Sequence, residues 1–178
     1  MNDDSLREFL TRYATDKVVQ RYLEVGCRDG DSLRCVVGNS KTLGVVYLAD
    51  TWAGEYGGTA RGGHGHIDDL LDSLGYRGRR VFLDGDSRVT LPRLDRAWAD
   101  LVLVDGDHSA EGAKSDLDNC WRLLTVGGSL VFHDICHPSH GYLEAVFNQF
   151  ANERAIGPDD LTFDRRGHGL AVARKAKG

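Results

Sequence analysis

Asp100-Leu-Val-Leu-Val-Asp105-Gly-Asp-His108-Ser109 opens the stretch that decides the fold. Asp100–Val104 is a short unbroken apolar run. An unbroken run, unlike an alternating one, fits a strand covered on both faces. Ala110–Leu124 then takes helical period, with Ala113, Leu117, Cys120, Trp121 and Leu124 on one apolar stripe. The pair Gly127-Gly128 is expected to end that helix. Ser129–His133 is a second apolar run. Strand, helix and strand in this order make a βαβ unit, and so a parallel sheet.

The alternation repeats outward from this unit. Arg21–Val25, Leu43–Leu48 and Arg80–Leu83 read as strands, and Ser32–Val37 and Ile67–Leu74 as helices. Residues 3–15 carry Leu6, Phe9, Leu10 and Tyr13 at helical spacing, so residues 1–20 form a helical segment ahead of the first strand. Near the end, Leu161-Thr-Phe163 and Leu170-Ala-Val-Ala173 flank a Gly-bearing turn and read as a hairpin. The expectation is one doubly wound α/β domain over residues 1–178, mostly parallel with a C-terminal antiparallel hairpin. Thr51–His66 holds six glycines and is expected to be a long loop, either a lid that carries His64 and His66 over substrate or a flexible loop with these histidines exposed.

Composition narrows the partners. The 178 residues carry a net charge of -5, without the clustered Lys and Arg that nucleic acid requires. No apolar run approaches the ~20 residues of a membrane span, and the acidic start Met1-Asn2-Asp3-Asp4 is unlike a secretory signal. Cys27, Cys35, Cys120 and Cys136 form no CxxC pair and read as reduced thiols, as expected of a cytoplasmic protein.

Ligands of an open parallel sheet bind beyond the carboxyl ends of its strands. The first strand leads into Glu24-Val-Gly26-Cys-Arg-Asp-Gly30-Asp-Ser32. Gly26 permits a tight turn, Gly30 a close approach of backbone to ligand, and the helix after Gly30 offers free N–H groups. An ordinary strand–turn–helix joint would also look like this. Asp50, followed by Thr51, stands about 20 residues further on, the spacing of an acid that accepts ribose hydroxyls. Asp84-Gly-Asp86-Ser87 could meet an adenine amine, or be a plain turn.

The fourth and fifth strand ends converge Asp105, Asp107, His108, His133 and Asp134. Carboxylates suit magnesium, which would bind a substrate hydroxyl and lower its pKa, leaving His108 as base. Histidine with carboxylate suits zinc or iron instead. Helix capping by Asp107 or Ser109 is the third reading. His137 and His140 fall at the rim of the same cleft.

These blocks, with Leu124-Thr-Val-Gly127-Gly-Ser-Leu-Val-Phe-His-Asp134-Ile135, resemble class I S-adenosylmethionine-dependent methyltransferases. The group in view holds the catechol O-methyltransferase-like, macrolide-sugar O-methyltransferase and cephalosporin-hydroxylase-like proteins. The resemblance implies a seven-stranded sheet with an antiparallel last strand. It implies that Glu24, Gly26 and Gly30 follow the methionine part of S-adenosylmethionine, with Ser32 and Asp105 as further cofactor contacts. Asp50 and Thr51 would sit at the ribose, and Asp86 and Ser87 at the adenine. Asp105 and Asp134 would bind magnesium or another divalent cation. The usual third ligand, Asn or Asp after the second acid, is here Ile135, and His133 is the substitute on offer.

The function expected is O-methylation of a small hydroxylated metabolite or sugar, with catalytic roles for Asp105 and His108. A homodimer, or the Thr51–His66 segment, would complete the pocket. A nicotinamide-dependent oxidoreductase is the competing enzyme, and Arg28 in the second glycine's place of GxGxxG speaks against it. A non-catalytic module on the same fold is the other alternative.

Overall fold

The computed structural model describes residues 4–53 and 63–176. Its elements run α1 (Asp4–Asp16), β1 (Arg21–Val25), α2 (Asp31–Val37), β2 (Val45–Asp50), α3 (Gly63–Ser73), β3 (Arg79–Asp84), α4 (Ser87–Thr90), β4 (Ala99–Val104), α5 (Ala110–Leu123), β5 (Leu124–His133), α6 (Leu143–Glu153), β6 (Leu161–Asp164) and β7 (Leu170–Arg174). The seven strands form one sheet in the order β3-β2-β1-β4-β5-β7-β6. β1 to β5 pair in parallel, and β7 runs antiparallel to both β5 and β6. The order reverses at β1, whose neighbours are β2 and β4. The seven-stranded, mostly parallel architecture expected from the sequence is present.

The continuous apolar runs are explained by two cores. Leu101 and Leu103 of β4 face α1, α2 and α3, packing with Leu10, Leu33 and Ile67. Val102 and Val104 face the opposite way, toward Leu117 of α5 and Phe147 of α6. Every residue of such a strand is covered, so side-chain alternation leaves no polar face in the sequence. Among the described residues no helix is long and apolar enough to cross a membrane.

Two expectations need correction. The helix α5 stops at Leu123, and Gly127-Gly128 lies inside β5, where the β4–β5 register shifts between Ala99 and Leu101. Gly63–His66 is not loop but the first turn of α3. Glycines lower helix propensity, yet Ile67, Leu70 and Leu71 bury against the sheet and carry the turn before them. The remainder of the proposed lid, residues 54–62, lies outside the described residues. The helix α6 was unread, although Leu143, Phe147, Phe150 and Ala151 form a buried stripe at helical spacing.

Candidate active site

The carboxyl ends of β1, β2 and β4 meet at one rim. The tight turn at Gly26 has φ +87°, and a Cβ there would lie 2.1 Å from the Asp105 carbonyl oxygen and 2.9 Å from the Gly106 Cα. Only glycine lets the β1–α2 and β4–α5 turns touch in this way. Gly30 also has positive φ, but its close approach is to Leu70 and Ile67 of α3, so protein rather than open space stands against it.

Asp50 ties the same turn to β2. Its Oδ2 accepts the Cys27 N–H at 2.8 Å and the Arg28 N–H at 3.2 Å, and its Oδ1 accepts the Trp52 N–H at 2.8 Å. Three backbone donors thus hold this carboxylate and leave it about one further acceptor site. Thr51 is half-buried beside it. Arg28, Trp52 and Asp134 each adopt positive φ within three residues of the carboxyl ends of β1, β2 and β5. Non-glycine residues held there store strain of order 1–3 kcal/mol, which tends to mark ligand sites.

Glu24 is fully buried. It accepts the Tyr22 hydroxyl at 2.9 Å and the Ser32 hydroxyl, so it braces α2 against β1 and occupies the Ser32 side chain. Burial pushes its carboxyl up to about 8. Beyond β3, Asp86 caps α4 by accepting the Arg88 N–H at 2.8 Å, and it pairs with the Arg88 guanidinium. Ser87 donates instead to Asp116 Oδ1 at 2.5 Å. Asp116 is fully buried in α5, its Oδ2 has no hydrogen-bond partner, and burial raises its carboxyl to about 6. The sequence reading missed it, although its place three residues after Ala113 and four before Cys120 puts it on the buried face of the helix.

At the β4 and β5 ends, His108 Nε2 lies 3.2 Å from Asp134 Oδ2 and 3.5 Å from Asp105 Oδ1. His133 Nδ1 lies 3.0 Å from Asp105 Oδ1. Asp105, then Asp134, raise His108 to about 9 against the opposing effect of burial. Burial acts to raise the Asp105 carboxyl, but His133 and His108 outweigh it and hold it at about 2. Ser109 caps α5 through the Gly112 N–H at 3.0 Å, so the capping reading holds for Ser109, while Asp107 accepts the N–H of Ser109 itself at 2.8 Å and caps no helical N–H.

The structure gathers five of the seven histidines here. The His140 ring stacks on His108 (4.9 Å) and on His137 (4.8 Å), and His168 Nδ1 from the β6–β7 turn lies 3.2 Å from Asp134 Oδ1. His168 was unread because the hairpin returns it to this end. The other two belong elsewhere: His64 stacks on Phe82 at 4.3 Å and lies 2.6 Å from Asp84, and His66 Nε2 lies 3.3 Å from the Asp29 carbonyl.

One ligand atom each from Asp105, His108 and Asp134 lie within 4.8 Å of one another. His108 Nε2 and Asp134 Oδ1 are buried without a hydrogen-bond partner. Neither atom makes a hydrogen bond of good geometry, only the ion-pair approaches given above, and buried polar atoms are normally satisfied; with a third acid beside them they fit a cation bound among them.

The methyltransferase-domain family matches residues 23–135. No curated protein matches the chain. Among solved structures, it resembles a Podospora anserina methyltransferase bound to S-adenosylhomocysteine, at 17% identity and TM-score 0.68 over 99% of this chain and 80% of that one. It also resembles a methyltransferase from Geobacter sulfurreducens, at 15% identity and TM-score 0.68 over 99% and 82%. A TDP-rhamnose 3'-O-methyltransferase of calicheamicin biosynthesis aligns at 18% identity and TM-score 0.64 over 98% and 80%. At such identities the likeness to these structures is one of fold, but the family match spans well over half the chain. The chain therefore belongs to the methyltransferase-domain family, on the fold of class I S-adenosylmethionine-dependent methyltransferases.

Proposed function

We propose that this protein transfers the methyl group of S-adenosylmethionine to a hydroxyl of a small metabolite or sugar. The observation that carries the reading is the single rim on which the Gly26 turn, Asp50 and Asp105 touch. The methionine part of the cofactor would follow the Gly26–Gly30 turn, its ribose would take the remaining acceptor site of Asp50 near Thr51, and its adenine would lie against Asp86 and Ser87. The proposal draws support from family membership and from two oxygen-methylating or product-bound proteins of the same fold.

Methyl transfer is an in-line displacement. The acceptor oxygen forms a bond to the methyl carbon, the S–C bond breaks, and its electron pair leaves sulfur neutral. The protein aligns donor and acceptor and removes the hydroxyl proton. A divalent cation held by Asp105 and Asp134, with His133 alongside, would stabilise the acceptor oxyanion. His108 is wedged between both carboxylates, which raise it to about 9 when no cation lies between them, and a cation bound there would take the place of that proton. His140, stacked on it, is held below its ordinary value by burial and by His108 and His137. We therefore place the base at His140 rather than His108. A pocket completed by a second copy of the chain, and residence in the cytoplasm, belong to the same proposal.

Titration calorimetry with S-adenosylmethionine and its demethylated product tests the cofactor. Micromolar binding is expected, and a folded protein that binds neither at millimolar concentration refutes the reading. An acceptor screen that follows S-adenosylhomocysteine then separates an enzyme from a binding module.

A further inference from the structure

We infer that His108 is a direct ligand of the cation held at the β4 and β5 ends, so the site selects a transition metal such as zinc or manganese over magnesium. This rests on the cation reading above, not on the identity of the methyl donor.

Three observations carry it. The donor atoms that lie within 4.8 Å of one another come from Asp105, His108 and Asp134. Two of these residues, His108 at Nε2 and Asp134 at Oδ1, carry buried atoms without a hydrogen-bond partner. The residue after Asp134 is Ile135, 1% exposed and packed in the α5–α6 core, so no third carboxylate comes from that position. His133 is placed differently: its Nδ1 faces Asp105 Oδ1 at 3.0 Å, and so orients a ligand rather than competing to be one.

Magnesium demands oxygen donors in octahedral array and dehydrates reluctantly. An imidazole nitrogen beside two carboxylates suits zinc, manganese, iron or cobalt. The ring of His108 is braced for this by the stacked His140, and Asp134 is fixed at φ +63° beyond β5. A residue held in that strained geometry aims its carboxylate at one point.

The test uses the full chain, stripped with chelator, and three probes: zinc, manganese and magnesium chlorides in titration calorimetry. Loss of a partner even one step removed from a metal lowers affinity about 10–100-fold. His108→Asn is therefore expected to weaken zinc binding about 100-fold or more while leaving magnesium within about threefold. Pulsed electron paramagnetic resonance on the manganese-loaded chain should show imidazole nitrogen modulation that His108→Asn abolishes and His140→Asn keeps. Circular dichroism checks that each variant folds, and His108→Gln repeats the test if Asn does not. Zinc affinity unchanged in a folded His108 variant overturns the inference, as does nitrogen modulation that survives it. Zinc bound equally well by an Asp105→Asn/Asp134→Asn chain also overturns it, since the metal then sits on surface histidines. Cofactor titration of the stripped chain, run in parallel, reports separately on the methyltransferase reading.

Discussion

Replacing Glu24 by Gln should make the protein more stable as the pH rises, by an amount the burial of that carboxyl sets. Glu24 is fully buried, with Tyr22 and Ser32 donating to its two oxygens. Burial raises its pKa from 4.5 to about 8. Below pH 4.5 the group is neutral in both folded and unfolded chains, and burial carries no ionisation penalty. Between 4.5 and 8 the unfolded chain is ionised while the folded one holds its proton, so stability falls by about 1.4 kcal/mol per pH unit. The loss reaches about 3 kcal/mol at pH 7 and levels near 5 kcal/mol above pH 8. That is a large share of the ~5–15 kcal/mol that holds a domain folded. Gln has the same shape, does not titrate, and can satisfy both hydroxyls, which rotate to donate or accept. Urea unfolding followed by circular dichroism at pH 5, 6, 7 and 8 measures the difference between the two proteins. It should be under about 1 kcal/mol at pH 5 and about 4–5 kcal/mol in favour of Glu24→Gln at pH 8. Other titrating groups, Asp116 and His108 among them, are common to both chains and cancel in the difference. Curves that stay parallel from pH 5 to pH 8, within about 1 kcal/mol, would refute the neutral buried carboxyl.

Further perturbations act on the same rim. Gly26→Ala drives a Cβ to 2.1 Å from the Asp105 carbonyl oxygen at positive φ; overpacking and left-handed strain together predict a loss of about 3 kcal/mol in urea unfolding. Asp50→Ala leaves three backbone N–H groups without their acceptor and removes the carboxylate proposed to hold the ribose; calorimetry should show cofactor affinity falling at least tenfold, with about 2 kcal/mol of stability lost. Ser87→Ala removes the hydroxyl that donates to the buried Asp116 Oδ1, and unfolding should show a loss of about 1–3 kcal/mol.

Much of this arrangement was legible from residue order. Apolar runs on a parallel sheet are read directly, because burial on both faces removes every polar position from Leu101 to Val104. The boundaries of β1 match their expectation, and the hairpin emerged from the Gly-bearing turn at 164–169. Gly63–His66 was misread because local propensity favours a loop, while the packing that overrides it comes from Ile67 and Leu71 against strands far away in sequence. Gly127-Gly128 was misread for a similar reason: pairing with β4 extends β5 back to Leu124.

The candidate site divides the same way. Periodicity and motif spacing alone placed Gly26, Asp50, Asp105 and Asp134 at strand ends, since a strand's end is a local property of the chain. Which atoms meet there is a non-local property. Folding decided that Glu24 is consumed by Tyr22 and Ser32, that Gly30 faces Leu70, that Asp116 reaches Ser87, and that His168 arrives beside Asp134 from a hairpin over thirty residues away. Residue order carries the 3.6 and 2.0 periods that build elements, but the contacts between strand ends depend on how those elements pack, which only three-dimensional closure of the sheet determines.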